Sequence, residues 1–346
     1  MAGGGGTRFW PLSRKRTPKQ LLNLSGKEVM VNEAADRLFN VCDRDNVFIV
    51  TNGVQVEMTR EITKGRVSPE KILSEPCARN TAACIGYAAV EILKKYGDGI
   101  MVITPSDAYI RNGEKFAEVL RTAISAAESG EYLVTVGITP TFPATGYGYI
   151  KCGGEGDVQK VLNFVEKPPF DKAVEYLRSG DYVWNSGMFV WRASLILKKF
   201  KELLPEVYNY LMLIYDGLGT PDEKSIIEKI YPEIPSVSID YGVMEKSDNI
   251  LVVPGEFGWS DVGSWDMLGA IHSPDADGNI AVGDVIAVNC KDVTAYSSTR
   301  TVAAVGVENL VIVETADAVL VCPRDKAQGV KLIVEKLAAD KREELL

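Results

Sequence analysis

The sequence predicts an α/β fold: a large domain of alternating strands and helices, followed by a small all-β unit. Three observations carry this expectation. Short β-branched runs at residues 47–51, 100–103 and 133–138 alternate with stretches of helical apolar spacing. The 346 residues exceed what one small core organises. Beyond a turn-like segment at residues 273–279, SPDADGN, helical spacing gives way to five short β-branched runs at close intervals.

The chain opens with residues 3–20, GGGGTRFWPLSRKRTPKQ. Glycine has no Cβ, so Gly3, Gly4, Gly5 and Gly6 can take positive φ and bring backbone N–H groups close to an anion. Arg8, Arg14, Lys15, Arg16 and Lys19 add positive charge, and only some of them can face one ligand. Composition alone also fits a flexible tail. Phe9, Trp10, Pro11 and Leu12 argue for a loop packed on a core instead. The stretch matches neither GxxxxGK[ST] nor GxGxxG, so the expected phosphate loop is of another kind. Glycine loops that hold nucleotide usually hang from the carboxyl end of a buried parallel strand. Met1-Ala2 reads as the last residues of such a strand, whose earlier part lies upstream.

Residues 47–51, VFIVT, form a strand ending at Asn52-Gly53, and residues 80–96 form a helix with Ala83, Tyr87, Val90, Ile92 and Leu93 near helical spacing. A strand at 100–103 runs into Thr104-Pro105-Ser106-Asp107. A helix at 113–129 and a strand at 133–138 follow. This alternation implies a parallel sheet covered on both faces, with ligands at the carboxyl ends of its strands. After Pro143 the segments GYGYI, VLNFVEKPP, a helix at 170–179 and GMFVWR read as an insertion that roofs the sheet. A helical middle at 193–230 leads to SIDYGVMEK, the strand ILVVP and the turn-rich GWSDVGSW. The runs VIAVNC, VTAYSS, TVAAVGV, LVIVET and AVLVC then predict a small stacked or coiled β unit. A helix at 324–346 closes it, with Val330, Ile333, Val334 and Leu337 on one face. Such a unit more often supports assembly than chemistry.

A net charge of −9 and a pI near 5.0 argue against nucleic acid or an anionic membrane as partner, so the N-terminal cations form a local patch. No apolar run reaches the roughly 18 residues of a membrane helix, and no signal-peptide core is present, which makes a cytoplasmic location the default. The six cysteines lack metal-binding spacing and read as reduced core residues. A single histidine, His272, leaves little room for a His-ligated metal or a Ser-His pair.

Candidate chemistry concentrates at a few residues. Asp107 lies just past an apolar strand and Asp261 in a Gly- and Trp-rich turn. Two such carboxylates can share one Mg²⁺ and leave room for substrate phosphates. Alone, each is more often a helix or turn cap; beside a phosphate loop the metal reading is favoured. Glu166 and Lys167, in FVEKP, suit a substrate bearing hydroxyls and a phosphate, or form a surface ion pair of little consequence. Asn185, among aromatics in WNSGMFVW, suits hydroxyl recognition or a plain turn. Gly146 and Gly148 permit close backbone approach, or a bulge. Glu75, Asn80 and Thr81, in EPCARNTA, stand at a helix start that can hold phosphate or read a purine edge; taken alone, plain N-capping by Asn80 or Thr81 is the stronger reading.

Taken in order, GGGGTRFWPLSRKRTPKQ, EPCARNTA, TPSDA, TGYGYI, FVEKP, WNSGMFVWR, SIDYGVMEK and GWSDVGSW resemble the mannose-1-phosphate guanylyltransferase family, monofunctional bacterial type, from Ala2 to about Trp265. The C-terminal runs resemble that family's left-handed β-helix-like tail. The resemblance implies a nucleotide-diphospho-sugar transferase (Rossmann-like) domain at residues 1–275 and a β-helix-like domain with terminal helix at 276–346. It implies transfer of a guanylyl group from GTP to mannose 1-phosphate, giving GDP-mannose and pyrophosphate. Ala2, Gly3 to Gly6, Thr7, Arg8 and Lys19 would hold the triphosphate, with Glu75, Asn80 and Thr81 near guanine. Gly146, Glu166 and Asn185 would contact mannose, Lys167 its phosphate, and Asp107 and Asp261 would bind Mg²⁺. Arg8, Lys19, Asp107, Lys167 and Asp261 would carry catalysis, and an apolar β tail favours a homodimer. Two features depart from the family pattern: its members usually begin with a strand before the glycine loop, and position 108 is Ala where His is frequent. No cupin segment follows, so isomerase activity is not expected. The alternatives are a transferase for another hexose 1-phosphate or a non-catalytic regulatory subunit. Intact Lys19, Asp107, Lys167 and Asp261 speak against the latter.

Overall fold

β-branched runs and amphipathic helices alternate through the first part of the computed structural model, which describes residues 1–346. Helix α1 (Met30–Leu38), β1 (Ile49–Asn52), α2 (Val56–Ile62) and β2 (Ile72–Glu75) lead to α3 (Asn80–Tyr96) and β3 (Ile100–Ile103). Then come β4 (Tyr109–Ile110), α4 (Gly113–Glu128), β5 (Leu133–Ile138), β6 (Tyr149–Gly153), β7 (Gln159–Val165), α5 (Phe170–Ser179) and β8 (Tyr182–Arg192). Three helices, α6 (Ala193–Leu203), α7 (Pro205–Gly217) and α8 (Glu223–Ile230), precede the short α9 (Ile239–Gly242), β9 (Ile250–Gly255) and β10 (Trp259–Ser260).

The main sheet has six strands in the order β3-β8-β5-β9-β7-β6, and β1 and β2 form a separate parallel pair. The expectation of a parallel sheet is corrected here. β8 is antiparallel to both β3 and β5, whereas β5 and β9 are parallel. The cause is the antiparallel β6–β7 pairing, which reverses the chain without a crossover helix. The expected roof is corrected with it. Met188, Phe189, Val190 and Trp191 are at most 1 % exposed, and a strand buried on both faces belongs inside a sheet. Helix α3 packs behind the sheet against α6 and α7. At Gly86 a Cβ would stand 2.3 Å from Leu211 Cδ1, so only glycine lets α7 come this close.

The C-terminal unit winds β11 (Ile280–Val282), β12 (Val285–Val288), β13 (Thr294–Ser297), β14 (Val302–Val305), β15 (Leu310–Glu314) and β16 (Val319–Pro323) into a β-helix. β11, β13 and β15 stack in parallel, as do β12 and β14, and β16 closes the stack antiparallel to β15. The expected helix at 324–346 is interrupted: a 3₁₀ turn (Arg324–Gly329) precedes α10 (Val330–Ala339), and Lys341, at φ 55°, ends the helical run before the turn Glu343–Leu345. This tail grips the glycine loop. Trp10 Nε1 donates to the Leu345 carbonyl at 2.9 Å and Lys15 N to that of Leu346 at 3.1 Å. Phe9 packs on Trp265 with ring centroids 5.0 Å apart.

Candidate active site

Side chains hold the loop by the carbonyls of Ala2, Gly3, Gly4 and Gly6. Gln20 Nε2 donates to Ala2 O at 2.6 Å and to Gly4 O at 3.0 Å, Asn52 Nδ2 to Gly3 O at 3.4 Å, and Ser13 Oγ to Gly6 O at 2.7 Å. The N–H groups of Gly3 to Gly6 make no hydrogen bond within the protein. A loop with pinned carbonyls and four free donors is a cradle for an anion. Gly6 sits at φ 56°, and a Cβ there would lie 2.5 Å from Lys19 Cβ, so glycine is required for Lys19 to tuck beneath the loop. Arg14 and Lys15 turn away, to Asp317 at 2.6 Å and Glu343 at 2.7 Å.

Lys19 is buried, and its Nζ donates to Asp107 Oδ2 at 3.2 Å and to the Asp261 carbonyl. The pairing of β4 with β10 brings these two aspartates to one end of the cleft. Val262, at φ 41°, is a β-branched residue in the left-handed region; this strained link directs Asp261 inward. Asp261 Oδ1 accepts from Tyr147 Oη at 2.5 Å. Burial holds the Asp261 carboxyl above the ordinary carboxylate range, opposed by Tyr147 and Lys19. Arg8 reaches the same turn, 3.5 Å from the Gly263 carbonyl. Two aspartates meeting at Lys19, Asp107 through its carboxylate and Asp261 through its main-chain carbonyl, beside an anion cradle fit the few-ligand habit of Mg²⁺, which fills its remaining positions with water and phosphate oxygens.

A cavity of about 360 Å³ adjoins the loop, lined by Gly3, Gly4, Glu75, Arg79, Asn80, Thr81, Asp107 and Asp240 among others. Glu75 is buried, accepts a hydrogen bond from Tyr231 Oη, and is pushed up in pKa by burial. Asn80 sits at φ 65°, with its Oδ1 accepting from Thr81 N at 2.9 Å, and the Thr81 hydroxyl accepts from Ile239 N at 2.8 Å. Thr81 therefore anchors α9 to the base of α3, and Asn80 and Glu75 face the cavity beside it.

The other expected residues gather around Tyr147. Lys167, at φ 49°, bonds through its N–H to the Tyr147 carbonyl at 3.2 Å, and its Nζ lies 2.9 Å from Glu166 Oε1. Glu166 Oε2 is buried without a partner. A Cβ on Gly148 would meet it at 2.5 Å, whereas nothing lies within 4 Å of one on Gly146. The close approach thus belongs to Gly148. Asn185 donates from Nδ2 to Asp240 Oδ1 at 2.8 Å, and its Oδ1 accepts from Gly187 N at 3.1 Å.

Sequence reasoning passed over Tyr147, Arg79 and Asp240, although each lies inside a motif it singled out. For Tyr147 the available signal was its place between two glycines in TGYGYI. Asp240 has its carboxyl pushed up to about 6, first by burial and next by Glu166. Its spacing in SIDYGVMEK resembles any helix cap; only the fold brings it to Asn185.

The nucleotidyl transferase family profile matches residues 1–278, and the profile described as MannoseP isomerase/GMP-like β-helix domain matches 283–337. Xanthan biosynthesis protein XanB of Xanthomonas campestris pv. campestris is 41 % identical over 99 % of this chain and 73 % of its own length. Mannose-1-phosphate guanylyltransferase of Salmonella montevideo is 40 % identical over 99 % and 74 %. A crystal structure described as mannose-1-phosphate geranyltransferase from Thermus thermophilus superposes with a TM-score of 0.89 at 34 % identity, covering 98 % of both chains. The chain belongs to the nucleotidyl transferase family, with a β-helix of the mannose-phosphate isomerase/GMP-like type behind the catalytic domain.

Proposed function

We propose that the protein transfers a guanylyl group from GTP to mannose 1-phosphate, releasing pyrophosphate and GDP-mannose. The observation that carries this reading is the glycine loop with free N–H groups over Lys19, itself in contact with Asp107 and Asp261. Relatives at about 40 % identity that carry the mannose-1-phosphate guanylyltransferase name support the choice of substrates.

The sugar phosphate is already an anionic nucleophile and needs no general base. Its oxygen attacks the α-phosphorus of GTP as the bond to the pyrophosphate oxygen breaks. Alignment and cancellation of repulsion between the two anions are what the site must supply. The loop N–H groups, Arg8 and Lys19 hold the triphosphate, and the cavity beside Glu75 and Asn80 takes the base. Lys167 holds the sugar phosphate, and the acceptors Glu166 and Asp240 face the sugar hydroxyls. Asp107 and Asp261 would hold Mg²⁺, whose chemistry is to neutralise charge on the phosphate oxygens. No helix is long and apolar enough to cross a membrane, and the six cysteines are free, which supports a cytoplasmic enzyme. Exposed Ile286, Val288 and Val305 on the β-helix support a homodimer through that unit.

A pyrophosphate-release assay with GTP or ATP against mannose 1-phosphate or glucose 1-phosphate, with and without a chelator, tests the reading. GTP with mannose 1-phosphate is expected to dominate and the chelator to abolish turnover. Equal use of all four pairs would remove the specificity claim, and turnover in chelator would remove the metal.

A further inference from the structure

Glu75 ends β2 at the wall of the 360 Å³ cavity, and its two carboxylate oxygens are in different situations. Oε1 accepts from Tyr231 Oη, which stands behind Glu75 and is fully buried, outside the cavity lining. Oε2 has no partner in the protein and turns toward Gly3 of the cavity wall, where a Cβ would stand 3.0 Å from it. Around this pair the chain from Tyr231 to Ile239 is stitched to the loop at 75–82. Arg79 Nη2 donates to Pro232 O, Ala82 N to Val237 O at 3.2 Å and Ile239 N to the Thr81 hydroxyl at 2.8 Å. The Tyr231 ring packs edge-on against Tyr87 of α3, with centroids 5.8 Å apart. A phenol enclosed in this way keeps one orientation, and the plane of the Glu75 carboxyl is fixed with it.

The hydroxyl also opposes the rise in pKa that burial imposes on Glu75, and so favours the ionised form. An ionised carboxylate only accepts. The Watson–Crick edge of guanine offers adjacent N1–H and N2–H donors, whereas adenine has an acceptor at N1 and no donor beside it. We propose that Tyr231 is a positioning residue for guanine recognition: by occupying Oε1 it holds Oε2 toward the cavity as a bare acceptor for the N–H groups of the base. This role rests on the proposed function, in which the base occupies the cavity beside Glu75.

The test compares initial rates of pyrophosphate release with GTP and with ATP at saturating mannose 1-phosphate. Tyr231→Phe keeps the ring against Tyr87 and removes only the donor. Its kcat/KM for GTP should fall about tenfold, mostly through KM, while that for ATP changes less than about twofold. Equal losses with both nucleotides, or none, would reduce Tyr231 to a structural role and overturn the proposal. Glu75→Gln probes the same contact with Tyr231 intact, because an amide has one accepting and one donating end. The phenol claims the accepting end, which forces the NH₂ group toward the cavity against the guanine donors. GTP use should then fall about a hundredfold and ATP should become the better substrate. In the double variant the amide is free to turn over, so GTP use should recover about tenfold relative to Glu75→Gln alone. Equal use of the two nucleotides by Glu75→Gln, or no recovery in the double variant, would overturn the role of Tyr231 while leaving the base in this cavity. A retained preference for GTP in Glu75→Gln would instead move the base away from Glu75 and remove the reading on which the role rests.

Discussion

Asp261 in the cleft and Glu314 in the β-helix are both carboxylates enclosed by the fold, and their surroundings treat them in opposite ways. Glu314 accepts from the N–H groups of Ser298, Thr299 and Arg300 at 3.1, 2.9 and 3.1 Å and from Arg300 Nε at 2.8 Å. Those donors, the backbone first, hold its carboxyl far below the usual range. Asp261 has one hydroxyl donor, and burial pushes it the other way. The β-helix satisfies its acid completely and thereby fixes a corner between coils. The cleft leaves its acid under-satisfied, with a single hydroxyl donor on its carboxylate. The difference separates a carboxylate that builds the fold from one to which the proposed function assigns chemistry.

The sharpest way to break that comparison is Asp261→Ala. Pyrophosphate release is expected to fall on the order of 10³-fold with the melting temperature nearly unchanged. Near-normal turnover in that variant would remove Asp261 from the reaction. Glu314→Ala should do the reverse, lowering the melting temperature by several degrees while kcat per folded molecule stays within about twofold. Its stabilising effect is present at neutral pH and lost as pH falls through the low value of its native carboxyl, so the variant and parent should converge in acid. A Glu314→Ala protein with normal melting but lost activity would place that corner in the mechanism instead.

A weaker effect is expected where the two regions meet. Leu345 and Leu346 are buried, and their carbonyls accept from Trp10 and Lys15, so the β-helix tail braces the far end of the glycine loop. Deleting these two residues should raise KM for GTP several-fold with a smaller change in kcat, measured by initial rates at saturating mannose 1-phosphate. An unchanged KM would show that the loop holds its shape without the tail.

Local patterns carried much of this to the reader of the sequence, and the limits were physical. The spans of α3, β3, β5 and α5 follow from apolar periodicity and flanking Gly, Pro or Asn, all short-range signals. The glycine loop and the Asp107 and Asp261 motifs were legible because their residue types are costly without a purpose. Strand direction was not legible: β8 lies between β3 and β5 through pairings distant in sequence, and no run of residues encodes which edge a strand joins. Nor was Asp240 distinguishable from an ordinary helix cap, since its partner Asn185 is 55 positions away.

Asp240 offers the finest test of whether the cleft stores under-satisfied acid. Its native carboxyl titrates at about 6, raised from 3.8 by burial and by Glu166, with Asn185 and Lys167 opposing. Between those values the native state binds more protons than the unfolded chain, so stability present in acid is lost as pH rises toward 6. The loss is on the order of 2 kcal/mol across that window. Asp240→Asn imitates the protonated form, and its Oδ1 can still accept from Asn185. Urea midpoints measured from pH 4 to 7 should therefore fall less steeply in the variant, which becomes the more stable protein near neutrality. Its KM for mannose 1-phosphate should rise as one acceptor facing the sugar is weakened. Parallel pH profiles for variant and parent would mean that Asp240 is as well satisfied as Glu314, and the contrast between the two regions would then rest on Asp261 alone.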